Sequence, residues 1–223
     1  MINIRRSEDR GFADHGWLKA RHTFSFADYH DPKFMNYRSL RVINEDRIDG
    51  AQGFGKHPHK DMEIITYVVS GALKHQDSIG HEGIIEAGQV QKMTAGAGVT
   101  HSEFNASTKD EVHLLQIWIT PQEKNLTPSY QQHDLPANQE NCLLPLPVAI
   151  HQDVKIFRGR FCVGHEFDYQ IGQGRGLWLQ VIEGQLRIGT ELLNEGDGAS
   201  IEGLQQLTAK ALHQTEFLLF DLK

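Results

Sequence analysis

The chain has 223 residues, 13 of them histidine, and a formal net charge of −7, with a pI near 6.0. That length suffices for one large β domain or two of about 110 residues, each able to bury a core. The acidic balance excludes autonomous nucleic-acid binding, which needs a clustered basic face; the terminal cluster Arg5, Arg6 and Arg10 is diluted by Glu8 and Asp9.

The first residues, MINIRRSEDRGF, put charges where a secretory signal needs an apolar run. No stretch approaches the ~20 apolar residues of a membrane span, so the expectation is a soluble, cytoplasmic protein without membrane contact. Cys142 and Cys162 lack CxxC spacing and read as free thiols in a reducing compartment.

Short runs of β-branched and aromatic residues then alternate with glycine or polar turns: Leu40 to Ile43, Met62 to Val69, Ile84 to Glu86, Val112 to Ile119. This is an antiparallel, all-β pattern, and any helices should be few and short. Two histidine-bearing stretches are embedded in it. GFGKHPHKDME holds His57, His59 and Glu63; MTAGAGVTHSEFN holds His101, Glu103 and Asn105. Residues two apart on a strand share a face, so His57 pairs with His59 and His101 with Glu103. Two strands can thus aim three imidazoles and a carboxylate at one point. Nitrogen and oxygen donors without thiolate favour a first-row divalent ion such as Fe, Ni, Cu or Zn. Glu63 competes with Glu103 for the carboxylate place, or acts behind a ligand imidazole. The two-residue spacing from His101 favours Glu103. The other ten histidines, His75 among them, read as surface or hydrogen-bonded groups.

Between Thr120 and Pro147 lie five of the seven prolines, with many Gln and Asn, which predicts a linker or crossing segment over 126–148 between domains at 1–125 and 149–223. Beyond it the strand texture returns as an echo: YVVSGALKH around Gly71 resembles LQVIEGQLRIG around Gly184, and IIEAGQV around Gly88 resembles LLNEGDGASI around Gly196. A duplicated β unit is expected. Carrying the ligand positions across lands on Gln170, Gly172 and Ala209, so the second copy should hold no metal.

These motifs resemble the cupin superfamily, G(x)5HxH(x)3-4E(x)6G followed by G(x)5PxG(x)2H(x)3N. His57, His59 and Glu63 fit the first, with Gly71 one residue late; Gly88, Gly98, His101 and Asn105 fit the second, with Thr94 in place of proline. Through HTFSFADYHDP, GFGKHPHKDMEIITYV, HQDSIGHEG, MTAGAGVTHSE and LLQIWI the first 120 residues resemble pirins, the branch that includes quercetin 2,3-dioxygenases. That resemblance implies two jelly-roll barrels, iron in the first, most simply Fe(II) with Ni, Cu, Zn or Mn as alternatives, and His57, His59, His101 and Glu103 as ligands. It implies O2-dependent cleavage of a flavonol such as quercetin with release of CO, Glu103 taking the hydroxyl proton. It also implies an alternative role, a non-enzymatic iron-binding redox sensor acting through a protein partner. Lys60, Asp61 and Met62 stand where eukaryotic pirins carry Arg, Gly and Phe, so a nuclear role transfers poorly. A flat aromatic substrate needs apolar walls, for which Phe24, Phe26, Phe54, Met93 and Trp118 are candidates, with Gln116 sharing the parity of Trp118.

Overall fold

The computed structural model describes residues 1–223 as an almost purely β chain, with 21 strands and one three-residue 3-10 turn, Ser7–Asp9. No helix is long and apolar enough to cross a membrane. Strands are numbered β1 to β21 in chain order. They assemble into two compact units, one of Gly11–Pro136 with Pro147–Gln152, the other of Met1–Arg10, Ala137–Leu146 and Asp153–Lys223.

The first unit is a two-sheet jelly roll. Its larger sheet has the order β12 (Ser129–Asp134), β9 (Gln89–Thr94), β6 (Glu63–Ser70), β11 (Val112–Ile119), β4 (Leu40–Ile48), β3 (Leu18–His22) and β2 (Gly11–Asp14). Its smaller sheet runs β5 (Gly53–His59), β10 (Val99–Asn105), β7 (Ala72–Asp77) and β8 (Glu82–Glu86). Strand alternation sends Ile48, Val68, Leu73, Ile85 and Leu114 into one apolar cluster between the sheets. A second cluster joins Ile64, Met93, Ala95 and Val99 near the histidine-bearing end of β10. Asn105 of the second motif ties down the loop that follows, donating to the carbonyls of Ile48 and Asp110 at 2.9 and 2.7 Å.

The second unit repeats the plan. One sheet has the order β1 (Ile2–Arg5), β19 (Gly198–Ile201), β16 (Gly176–Glu183), β21 (Thr215–Leu222), β14 (Val154–Phe161) and β13 (Cys142–Pro145). The other runs β15 (Glu166–Gln170), β20 (Gln206–Ala211), β17 (Gln185–Ile188) and β18 (Glu191–Asn194). The order β5-β10-β7-β8 recurs ten strands later as β15-β20-β17-β18. The echo in the sequence is therefore structural: Gly71 turns β6 into β7 at φ +78°, and Gly184 turns β16 into β17 at φ +82°. A Cβ at either would press on backbone, the Glu111 carbonyl oxygen at 2.9 Å and the Gln214 carbonyl oxygen at 2.2 Å. Only glycine meets both demands.

The expected boundaries differ from these units. The proline-rich stretch 126–148 contains β12, laddered to β9, and β13, laddered to β14, so it extends both sheets. Residues 1–10 belong with the C-terminal half because β1 pairs with β19. The projected ligand positions of the copy also shift. Its inward pairs are Phe167 opposite Ala209 and Tyr169 opposite Leu207, and all four pack in the apolar core there; Gln170 and Gly172 lie past the inward pair, because the connections of the two halves differ in length.

Candidate metal centre

The first histidine stretch becomes β5 and the second β10, paired antiparallel with His57 opposite His101 and His59 opposite Val99. Past His101 the ladder slips by one residue, so Glu103 faces Phe54. Gly55 and Lys56 together oppose Ser102, a bulge of the kind that re-aims side chains beside functional sites. It places Phe54 on the same inner face as His57 despite their three-residue spacing.

The three imidazoles converge. Ring centroids lie 4.8 Å apart for His57 and His59, 4.4 Å for His57 and His101, and 4.8 Å for His59 and His101. His57 Nδ1 donates to the Gly55 carbonyl at 2.8 Å, which leaves its Nε2 as a lone-pair donor. His59 Nε2 and His101 Nε2 face each other at 2.9 Å. Burial first, and then the neighbouring imidazoles, push His59 down to about 4 and His101 down to about 3. At neutral pH both rings are neutral, the form a metal requires. Two nitrogens bound to one ion at ~2.1 Å and at right angles would be about 3 Å apart, so the facing pair fits a shared cation.

Glu103 is 3 % exposed. Its carboxylate accepts from Gln116 Nε2 at 2.9 Å and from the Thr66 hydroxyl at 3.4 Å. The donors form two trios that share His101: His57, His59 and His101 in one, and His75, His101 and Glu103 in the other, each within 4.8 Å. His75, expected as a surface or hydrogen-bonded group, is the second of these and is wholly buried. It lies across from Glu103 on β7, donates to Asp77 at 3.1 Å and accepts from Gln91 at 3.3 Å. Burial acts to raise the Asp77 carboxyl, but hydrogen bonds from the His81 backbone, the His75 ring and the Ile79 backbone outweigh it and hold Asp77 low. The available signal was the i, i+2 spacing of His75 and Asp77, which means nothing until the β7–β10 register is known.

Glu63 does not join the cluster. On β6 the even positions face inward: Thr66 reaches Glu103, and Ile64 packs near Trp118. Glu63 faces the opposite side, where Lys92 Nζ lies 2.6 Å away, both side chains fully buried. The requirement to neutralise that lysine explains the carboxylate. Neither the ligand nor the supporting role expected of Glu63 is compatible with its direction.

A cavity of about 320 Å³ opens beside the cluster, its walls including Phe26, Phe54, Trp118, Gln116, His57 and His59. Phe26 and Trp118 meet edge to face at 5.4 Å. Phe24 and Met93, expected as walls, are instead core residues at 1 % and 0 % exposure. Met93 is covered by Ile64, Ala95 and Val99, and of the Phe24–Phe26 stretch only Phe26 reaches the cavity, just before the turn through Ala27 at φ +48°.

Two jelly rolls in tandem, with a histidine cluster on the β5–β10 pair of the first, define a bicupin. Residues 4–119 match the Pirin family model and residues 145–222 that of the quercetinase C-terminal cupin domain; the chain belongs to the pirin family. It is 44% identical over 228 residues to the quercetin 2,3-dioxygenase of Escherichia coli K12, covering 100% of this chain and 99% of that one. A pirin-like protein of Caulobacter vibrioides is 38% identical over 231 residues, covering 99% of each. The crystal structure of the bacterial pirin YhhW from Escherichia coli in complex with nickel(II) superposes with a TM-score of 0.96 at 42% identity, covering 100% of this chain and 99% of that one.

Proposed function

We propose that His57, His59, His101 and Glu103 hold a single divalent transition metal, iron(II) in the cell, and that the loaded site opens a flavonol such as quercetin with O2 and releases CO. The observation that carries this is the juxtaposition of three imidazoles and a buried carboxylate with an aromatic-walled cavity. The quercetin 2,3-dioxygenase name of the Escherichia coli relative and the nickel(II) in YhhW support the reaction class and a divalent ion.

When bound, the ion would acidify a hydroxyl and leave positions open for substrate and oxygen. The protein supplies the rest. Phe26, Phe54 and Trp118 hold a flat ring system and exclude water. Glu103 takes the proton of the hydroxyl adjoining the flavonol carbonyl, and Gln116 and Thr66 fix its carboxylate for that transfer. His75, with both ring nitrogens committed to Asp77 and Gln91, backs Glu103 and His101 as a fixed wall. Both atoms of O2 enter the opened product as one ring carbon leaves as CO.

Anaerobic loading with iron(II), then with nickel, copper, zinc and manganese in turn, combined with quercetin decay and CO detection, tests the reading. Stoichiometric CO with at least one ion is expected. Full metal occupancy without flavonol consumption for every ion rejects it.

A further inference from the structure

Two carboxylates line the cavity, Glu103 and Asp46, and no lysine or arginine does. Glu103 is accounted for by the metal-centre reading. Asp46 is not. It lies on β4, 5 % exposed, opposite Leu114 of β11, while Asn44 stands opposite Gln116, the partner of Glu103. Its same-face neighbours Ile48 and Leu114 belong to the apolar cluster, so a carboxylate here is not a packing residue. Two residues along a strand span about 6.6 Å, which puts Asp46 one such step along β4 from the level of Gln116, on the order of one aromatic ring.

We propose that Asp46 is a specificity-determining residue: it accepts a hydrogen bond from a phenolic hydroxyl on the part of the substrate remote from the histidines. This rests on the flavonol reading and narrows it. A carboxylate oxygen accepts, and with its several lone-pair directions the group can take a substrate hydroxyl beside another partner. The favoured class is therefore flavonols hydroxylated on the pendant ring.

Three flavonols differing only there test this: quercetin with two pendant hydroxyls, kaempferol with one, galangin with none. The readouts are kcat/KM for metal-loaded protein and Kd for metal-free protein from quenching of tryptophan fluorescence. A hydrogen bond to a charged group corresponds to roughly 10- to 100-fold in affinity. Galangin should fall behind by that factor, in KM and Kd more than in kcat. Asp46→Ala and the isosteric Asp46→Asn should bring the ratio toward one, with thermal unfolding and metal content recorded for each. If Asp46→Ala does not fold, Asp46→Asn and the ligand series on the unaltered protein carry the comparison. Equal Kd for the three flavonols in the unaltered protein, or an unchanged preference in a folded, metal-loaded variant, overturns the assignment. Absence of binding and turnover for all three would overturn the flavonol reading itself, a different result from binding without preference.

Discussion

The side-chain amide of Gln116 points its nitrogen at a carboxylate oxygen of Glu103, 2.9 Å away, while the single Thr66 hydroxyl hydrogen is shared between Gln116 Oε1 at 3.1 Å and Glu103 at 3.4 Å. The pair spans the two sheets of the first barrel. Removing the amide should let the carboxylate swing without deleting it. Gln116→Leu should lower kcat on quercetin by roughly 10- to 100-fold, the usual value of a hydrogen bond to a charge, with metal content retained. Glu103→Gln should fall further, by ~10² to 10⁴, the usual contribution of a general base. Steady-state kinetics on iron-loaded protein orders the two, and a Gln116 variant at or below the activity of the Glu103 variant contradicts the assigned roles.

Each histidine of the trio should be needed for occupancy and none for folding, since the apolar clusters between the sheets are separate. His57→Ala, His59→Ala and His101→Ala should each lose more than the ~10- to 100-fold in metal affinity typical of changes behind a ligand, with an unchanged β circular dichroism spectrum. The intact chain should take one equivalent, because the copy fills the matching place with Phe167 and Tyr169. Full metal retention in two of the three variants would end the assignment.

The low values of His59 and His101 set a direction for pH. Their folded-state values, about 4 and about 3, lie below the ordinary imidazole value near 6.5. Between those limits the unfolded chain binds more protons than the folded one, so stability falls as pH falls. Metal-free protein should hold its Tm above about pH 6.5 and lose it progressively as pH falls toward 4. Metal affinity should be lost with a midpoint below 6.5, since those two rings stay neutral there. Thermal unfolding in chelator and a metal titration at several pH values check the two curves, and a Tm that rises on acidification from pH 7 to 5 contradicts the sign.

The Glu63–Lys92 pair gives a prediction about stability alone. Breaking a buried ion pair from one side typically costs about 3–5 kcal/mol, whereas replacing both partners can be nearly neutral. Lys92→Met should lower Tm sharply, Glu63→Gln should do so without altering metal stoichiometry, and the double variant should recover much of the loss. Loss of metal in Glu63→Gln with Tm unchanged would return Glu63 to the site.

The all-β class and the histidine trio were legible because both depend on period-two alternation within single strands. What was not legible depends on pairing between strands. Glu63 satisfies the linear motif as well as Glu103 does, and only the lysine across the ladder, 29 positions later on β9, reveals which way it faces. His75 carries no local mark of burial; its place opposite Glu103 is a matter of register. Phe24 and Met93 have the composition of cavity walls, but burial among core residues follows from the turn after Phe26 and from packing under Val99. The N-terminal strand was misassigned because a sheet can recruit its edge from any distance along the chain.

The slip at Gly55 and Lys56 makes the centre depend on a count of residues rather than on their kind. A Cβ added at Gly55 would meet nothing within 4 Å, and Lys56 is exposed, so either position accepts a different side chain. Deleting one of them would restore regular pairing and rotate either Phe54 or the His57–His59 pair to the outside, leaving every donor in the chain and dismantling the arrangement. For an alignment of this family, a gap at this point is therefore a more informative loss-of-site mark than a substitution there, although neither residue supplies a side chain to the centre.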